Sequence, residues 1–202
     1  MKNKFLVICL FMVTLGFSKA QSIEMYGMSG WMFAGRTGPV KIINNVPGVV
    51  GIDYVLENNI AVGVSYSWMS SYIQLRDAYS GFNRGEKHGY EQGYLLLQLT
   101  RNFELATNDK VVPYTFFGAG VFHYDISIPN FSGQAKLALG LGGGMKYMLS
   151  DKIGIKLQAK LQSPVAGAGL YFGVGTGGVS SGVSTYSYMV QLETTGGLVV
   201  KF

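Results

Sequence analysis

The chain has 202 residues and a formal net charge of +5, with only 13% charged residues against 48% hydrophobic ones. That charged share is about half of what a soluble domain carries, yet no internal segment holds the ~20 apolar residues of a membrane helix, so a very dry soluble core or a membrane barrel remains. The lone Cys9 excludes a disulfide framework and a thiolate metal site, and the bases are scattered without the stripe that a nucleic-acid surface needs.

Residues 1–20 read as a secretory signal peptide: Lys2 and Lys4 form a basic start, residues 5–17 an apolar run, and Ser18-Lys19-Ala20 a small-x-small cleavage site before Gln21. The run is too short to span a bilayer as a helix. Cys9 lies inside it behind Leu6-Val7-Ile8, which is not a lipidation site. Removal of Lys2, Lys4 and Lys19 takes the net charge to +5 − 3 = +2 and leaves residues 21–202 as one domain.

Period-two alternation then recurs along the chain. A first strand over 23–33 sets Ile23, Met25, Trp31 and Phe33 against Glu24, Tyr26, Met28 and Gly30, and a loop follows over 36–45. The second, over 46–56, sets Val50, Ile52, Tyr54 and Leu56 against Val49, Gly51 and Asp53, and turns at 57–59. The third, over 60–73, alternates Val62, Val64, Tyr66, Trp68 and Tyr72 with Ala61, Gly63, Ser65, Ser67 and Ser71.

A polar loop spans 76–92 and carries His88. The fourth strand, over 93–105, sets Leu95, Leu97, Leu99 and Phe103 against Gln98, Thr100, Asn102 and Glu104, with Arg101 on the apolar side near one end, where it snorkels. After a turn at 106–110, the fifth strand, over 111–126, carries Val112, Tyr114, Phe116, Phe122 and Tyr124 as its apolar face opposite Thr115, Ala119, His123 and Asp125.

A loop over 127–135 leads to the sixth strand, where Leu137, Leu139, Leu141, Met145 and Tyr147 oppose Ala138, Gly140, Gly142, Gly144 and Lys146. Beyond a turn at 150–152, the seventh sets Ile153, Ile155, Leu157 and Leu161 against Lys156, Gln158, Lys160 and Gln162. A Gly/Ser-rich loop over 164–183 precedes the last strand, 186–202. There Val190, Leu192, Leu198, Val200 and Phe202 face one way, and Gln191, Glu193, Thr195 and Lys201 the other.

Leu198, Val200 and Phe202, at alternate positions before a terminal aromatic, resemble the C-terminal signal of bacterial outer-membrane β-barrels. The resemblance implies assembly by the barrel-assembly machinery and an outer-membrane location. Eight strands joined alternately by tight turns and longer loops give an all-β, eight-stranded antiparallel up-and-down transmembrane barrel. The pattern resembles small OmpA/OmpX-type barrels without a peptidoglycan-binding domain. It implies contact with outer-membrane lipid and lipopolysaccharide, and loops 76–92 and 164–183 offered to an extracellular partner.

A soluble, lipocalin-like barrel would also alternate, but its outer face would be rich in charge. Here the non-apolar face is small, as a narrow lumen requires. The lumen then holds Glu24, Asp53, Glu104, Lys146, Lys156, Lys160, Glu193 and Lys201, and charges away from water need partners. An ion-pair network around Glu193, joined by Lys156, Lys160 and Glu24, is the expectation; hydration by interior water is the alternative.

No catalytic, cofactor or metal motif is found. His88 reads as a solvated loop residue, and His123 and Asp125 as an inward polar pair. His123-Tyr124-Asp125 departs from the His-x-Ser pair of outer-membrane lipid A deacylases. The Gly-rich run 173–182 lacks the features of a phosphate loop. Three functions follow in order of support: a non-enzymatic structural, adhesion or envelope-integrity protein, a narrow OmpW-like conduit for small or apolar solutes, and a lipid-modifying enzyme.

Overall fold

The structure is a computed structural model and describes residues 22–34, 36–37, 40–75, 87–105, 110–127, 133–165, 169–175, 178–184 and 189–202. The expected signal peptide therefore lies outside the described residues. In chain order the strands are β1 (Ser22–Ala34), β2 (Arg36–Thr37), β3 (Val40–Ile42), β4 (Gly48–Val55), β5 (Ile60–Leu75), β6 (Lys87–Asn102), β7 (Val111–Ile126), β8 (Gln134–Met148), β9 (Ile153–Pro164), β10 (Gly169–Gly175), β11 (Gly178–Ser184) and β12 (Gln191–Lys201).

Each of β1, β4–β9 and β12 pairs antiparallel with its neighbours, and β12 returns to β1, so eight strands close a barrel. Closure gives each of these eight strands a partner on both sides. Ile23 and Phe202 exchange backbone hydrogen bonds of 3.1 and 2.8 Å at the seam.

Stepping through register partners from Glu24, the path runs through Asp53, Gly63, Gln98, Gly118, Gly140, Gln162 and Gln191. It re-enters β1 at Ala34, ten residues above its start. A stagger of ten over eight strands, with ~3.3 Å per residue and ~4.8 Å between strands, gives a tilt of about 41° and a cylinder about 16 Å across. A lysine and a carboxylate on opposing walls can therefore meet.

The outer face is apolar. On β6 the outward residues between Arg101 and Glu91 are Leu99, Leu97, Leu95 and Gly93. Ten residues at that tilt make a band about 25 Å tall, the height of a membrane barrel's apolar belt. Leu97, Leu99, Leu139, Leu141 and Leu198 are among its exposed side chains. Its loop-end margin carries Trp31, Phe33 and Trp68, and Tyr66 stacks on Trp68 with centroids 5.7 Å apart.

Several predicted boundaries move. β6 begins at Lys87 rather than 93, because the upper half of β5 continues to Leu75 and zips onto residues 87–92. The loop at 36–45 holds the small β2–β3 hairpin, and β3 covers the other edge of upper β5. The loop at 164–183 contains a second hairpin, β10–β11, and the closing strand is regular over Gln191–Lys201, with residues 185–188 outside the described set. The turn at Glu57–Asn59 holds, with Asn58 and Asn59 at φ of 65° and 61°, a left-handed geometry that asparagine tolerates.

The largest correction is to β7. Its buried residues are Tyr114, Phe116, Gly118 and Phe122, while Thr115, Phe117, Val121, His123 and Asp125 are exposed. The aromatic set expected to face lipid lines the lumen, and the His123–Asp125 set expected inside is outside. Register decides this. Phe117 lies opposite Leu99 on one side and Leu141 on the other, and Ala119 lies between Leu97 and Leu139 in the same way, and residues directly opposite share a face.

Candidate functional site

The lumen is layered. At the short-turn end a cavity of about 580 Å³ is lined by Glu24, Asn102, Glu104, Lys146 and Lys201 among others. Glu104 lies past the end of β6, exposed at this rim, and accepts a hydrogen bond from Asn59 Nδ2 at 2.6 Å; Lys201 is likewise exposed.

Above the cavity lies a charged layer. Lys146 and Lys156 are direct register partners on β8 and β9, and Glu24 and Asp53 are direct register partners on β1 and β4. Like charges side by side on one wall are unfavourable. Here the lysine wall meets the carboxylate wall across the lumen. Lys146 Nζ lies 2.6 Å from Glu24 Oε2, and Lys156 Nζ lies 3.2 Å from Asp53 Oδ2.

The Tyr26 ring centre is 3.4 Å from Lys156 Nζ, and Tyr114 lies 5.1 Å from it, so aromatic faces take up part of the desolvated charge. Tyr26 OH donates to Gln98 Oε1 at 3.3 Å. Gly51 makes room for this ring: a Cβ there would lie 2.3 Å from Tyr26 Cζ.

The next layer is polar. Lys160 and Glu193, register partners on β9 and β12, approach to 2.9 Å, and Lys160 Nζ also reaches Ser67 Oγ on the far wall at 3.3 Å. Gln162 Nε2 donates to Glu193 Oε2 at 3.4 Å. Gln92 and Gln191 donate to each other at 3.0 and 2.9 Å, and Tyr90 OH donates to Gln92 Oε1 at 3.0 Å.

The loop end is closed by an apolar cluster that includes Met32, Met69, Tyr94, Leu96, Phe122 and Met189, with the Tyr94 and Phe122 rings 4.6 Å apart. Glycines and serines on β5 and β8 leave the width that these aromatics fill.

The sequence-predicted lumen residues thus resolve into three separate pairs. Lys160 meets Glu193, while Lys156 goes to Asp53 and Glu24 to Lys146, so the charges do not converge on Glu193. Three lysines match three carboxylates, and the buried layers are neutral. Tyr26, Tyr114 and the Gln92–Gln191 pair were not singled out in the sequence. Their signal is a large or amide side chain on the otherwise small inward face.

His88 sits half-buried on β6 opposite Ile73, not in a loop. His123, outside, stacks on Tyr66 with centroids 5.9 Å apart and Nε2 3.4 Å from the phenol. Asp125 Oδ1 accepts the Ile126 backbone N–H at 2.9 Å. The described residues hold no cluster of three histidine, cysteine, aspartate or glutamate side chains placed to bind a metal.

No protein-family model matches the sequence, and no curated protein matches it. Solved structures do. Neisserial surface protein A is 12% identical, with a TM-score of 0.59 over 90% of this chain and 97% of that one. The outer membrane protein OprG of Pseudomonas aeruginosa is 12% identical, with a TM-score of 0.59 over 91% and 97%. The outer membrane protein AlkL, solved in DMPC lipid bilayers, is 16% identical, with a TM-score of 0.53 over 91% and 90%. The chain has the fold of these small outer-membrane β-barrels.

Proposed function

We propose that this chain is an integral outer-membrane barrel that displays its loop end at the cell surface through a lumen blocked by its own side chains. Its role is structural, adhesive or protective of the envelope, and it is not an enzyme. On this reading residues 1–20 direct export and are removed, and Leu198, Val200 and Phe202 present the assembly signal on the lipid face. Tight turns face the periplasm, as in other outer-membrane barrels.

One observation carries the reading: three buried ion pairs and an apolar cluster fill successive layers of the lumen. Eight-stranded barrels have an interior that side chains can fill. Single-channel recording on protein in planar bilayers tests it, with no unitary conductance expected. Steady conductance, or uptake of a solute lost on deletion, would overturn it.

The roughly 580 Å³ cavity at the short-turn end favours a second reading, a narrow conduit for small or apolar solutes. The same recording, joined to a vesicle uptake assay, separates the two. Exchange of loops 76–92 and 164–183 with those of an unrelated barrel, read by host-surface binding, tests the displayed partner. Lipid A mass spectra from cells with and without the protein are expected to be identical; a new acyl or phosphate species would refute the non-enzymatic role.

A further inference from the structure

We propose that three thioethers in the loop-end seal of the lumen, those of Met32, Met69 and Met189, form a binding site for a soft monovalent metal ion, Cu(I). They come from β1, from β5 and from the approach to β12, and all three are buried in one cluster. They gather around one pair of amides. Gln92 Nε2 lies 2.8 Å from Met32 Sδ, and Gln191 Nε2 lies 3.9 Å from Met189 Sδ. Met69 is the register partner of Gln92 on the same inward rung, and such partners stand roughly 5 Å apart at Cβ. Three distant stretches of chain thus set thioether side chains around the Gln92–Gln191 doublet.

The hydrogen bonds there leave sulfur as the open donor atom. Gln92 Oε1 accepts from Tyr90 OH at 3.0 Å and from Gln191 Nε2 at 2.9 Å. Gln191 Oε1 accepts from Gln92 Nε2 at 3.0 Å. A carbonyl oxygen has two lone pairs, so Gln92 Oε1 is fully used, and the amides satisfy one another. A thioether is only a weak acceptor, and the amide N–H groups beside it do not compete with a metal. Leucine would seal the lumen equally well and specify its packing better. Methionine in all three places adds a polarisable sulfur that leucine lacks.

Thioether sulfur favours Cu(I). Zinc sites are built from thiolate, imidazole and carboxylate, which these three residues do not supply. Methionine has three rotatable bonds, so the sulfurs close on an ion while the strands stay in place. Two features offset its charge. Tyr90, Tyr94 and Phe122 belong to the same cluster and offer ring faces to a cation. Glu193, whose charge is shared with Lys160, is the register partner of Met32 and sets a buried carboxylate one strand away. A bound ion ties β1, β5 and the entry to β12 together and tightens the seal.

The test uses Ag(I), a soft ion of the same charge that needs no reductant. Residues 21–202, which hold the whole barrel and no cysteine, are folded into phosphatidylcholine nanodiscs and given silver nitrate in chloride-free buffer. The variant is Met32→Leu/Met69→Leu/Met189→Leu, a near-isosteric exchange that cores tolerate. Met25→Leu/Met145→Leu, on the lipid face, is the control. Heat-modifiable gel mobility checks folding, native mass spectrometry counts silver, and silver K-edge absorption identifies the atoms around it.

The parent and the lipid-face control are expected to hold one Ag(I) per barrel against excess Zn(II), with sulfur as its neighbours. The triple variant should lose it. Where the triple variant fails the mobility check, the three single variants decide, each expected to release silver to a thioether competitor that leaves the parent loaded. Anaerobic Cu(I) should displace the silver from the parent. A folded parent without silver, silver kept by the folded triple variant or by every single variant, or loss from the lipid-face control would each overturn the inference. So would displacement by Zn(II), failure of Cu(I) to replace the silver, or a shell of oxygen and nitrogen around it.

Discussion

The two halves of the lumen are filled by opposite means. Near the short turns the filling is electrostatic: Lys146 and Lys156 on one wall, Glu24 and Asp53 on the other, with Tyr26 against the charge. Near the loops it is dispersive: Met32, Met69, Leu96, Phe122 and Met189 pack with Tyr94. A buried pair holds its register only while both partners are present, since each charge alone is strongly disfavoured. An apolar cluster loses stability gradually as atoms are removed. The lower half therefore specifies how the strands align, and the upper half seals.

The largest expected effect comes from breaking the lower half. Asp53→Leu leaves Lys156 buried beside Lys146, and should destabilise the barrel by about 3–5 kcal/mol, read as a lower urea midpoint in lipid vesicles. Adding Lys156→Met should recover most of that loss. Failure of the second substitution to rescue the first would show that the charges are not coupled. Glu193→Leu, which strands Lys160 against Ser67, tests the neighbouring layer; a variant that inserts and resists denaturant as well as the parent would remove the upper pair from this account.

Phe122→Ala in the upper half should cost about 3 kcal/mol, since the cavity collapses only in part, with no rescue from any charge substitution. Gly51→Val is smaller, about 1–3 kcal/mol, because the Tyr26 ring must shift to admit a side chain. The mildest change marks the β7 face. With the lipid-facing Trp31 and Trp68 replaced by phenylalanine, a single tryptophan at Phe117 should be quenched by brominated lipid and one at Phe116 should not, with little change in stability between the two. The reverse pattern would return the aromatic face of β7 to the lipid.

Much of the fold was legible because alternation is local. Leu95, Leu97 and Leu99 against Gln98 and Thr100, or Ile155 and Leu157 against Lys156 and Gln158, declare their faces within one strand. β7 did not, because Tyr114, Phe116 and Phe122 compete with Phe117 and Val121 and both faces are apolar. Gly118 and Gly120 on the aromatic side were the available hint of a crowded interior. The loop-end hairpins were hidden for another reason. β3 is three residues long and depends on the β5 edge it covers.

By itself the sequence determined the strand count, the alternation of turns and loops, and the lipid face of seven barrel strands, because a period of two needs only neighbours along the chain. The tertiary structure alone decided the face of β7 and the pairing of the lumen charges. Lys146 finds Glu24 across 122 positions of sequence only because eight pairings add up to a stagger of ten, and one slip in any of them would turn a strand's charges from the lumen to the lipid.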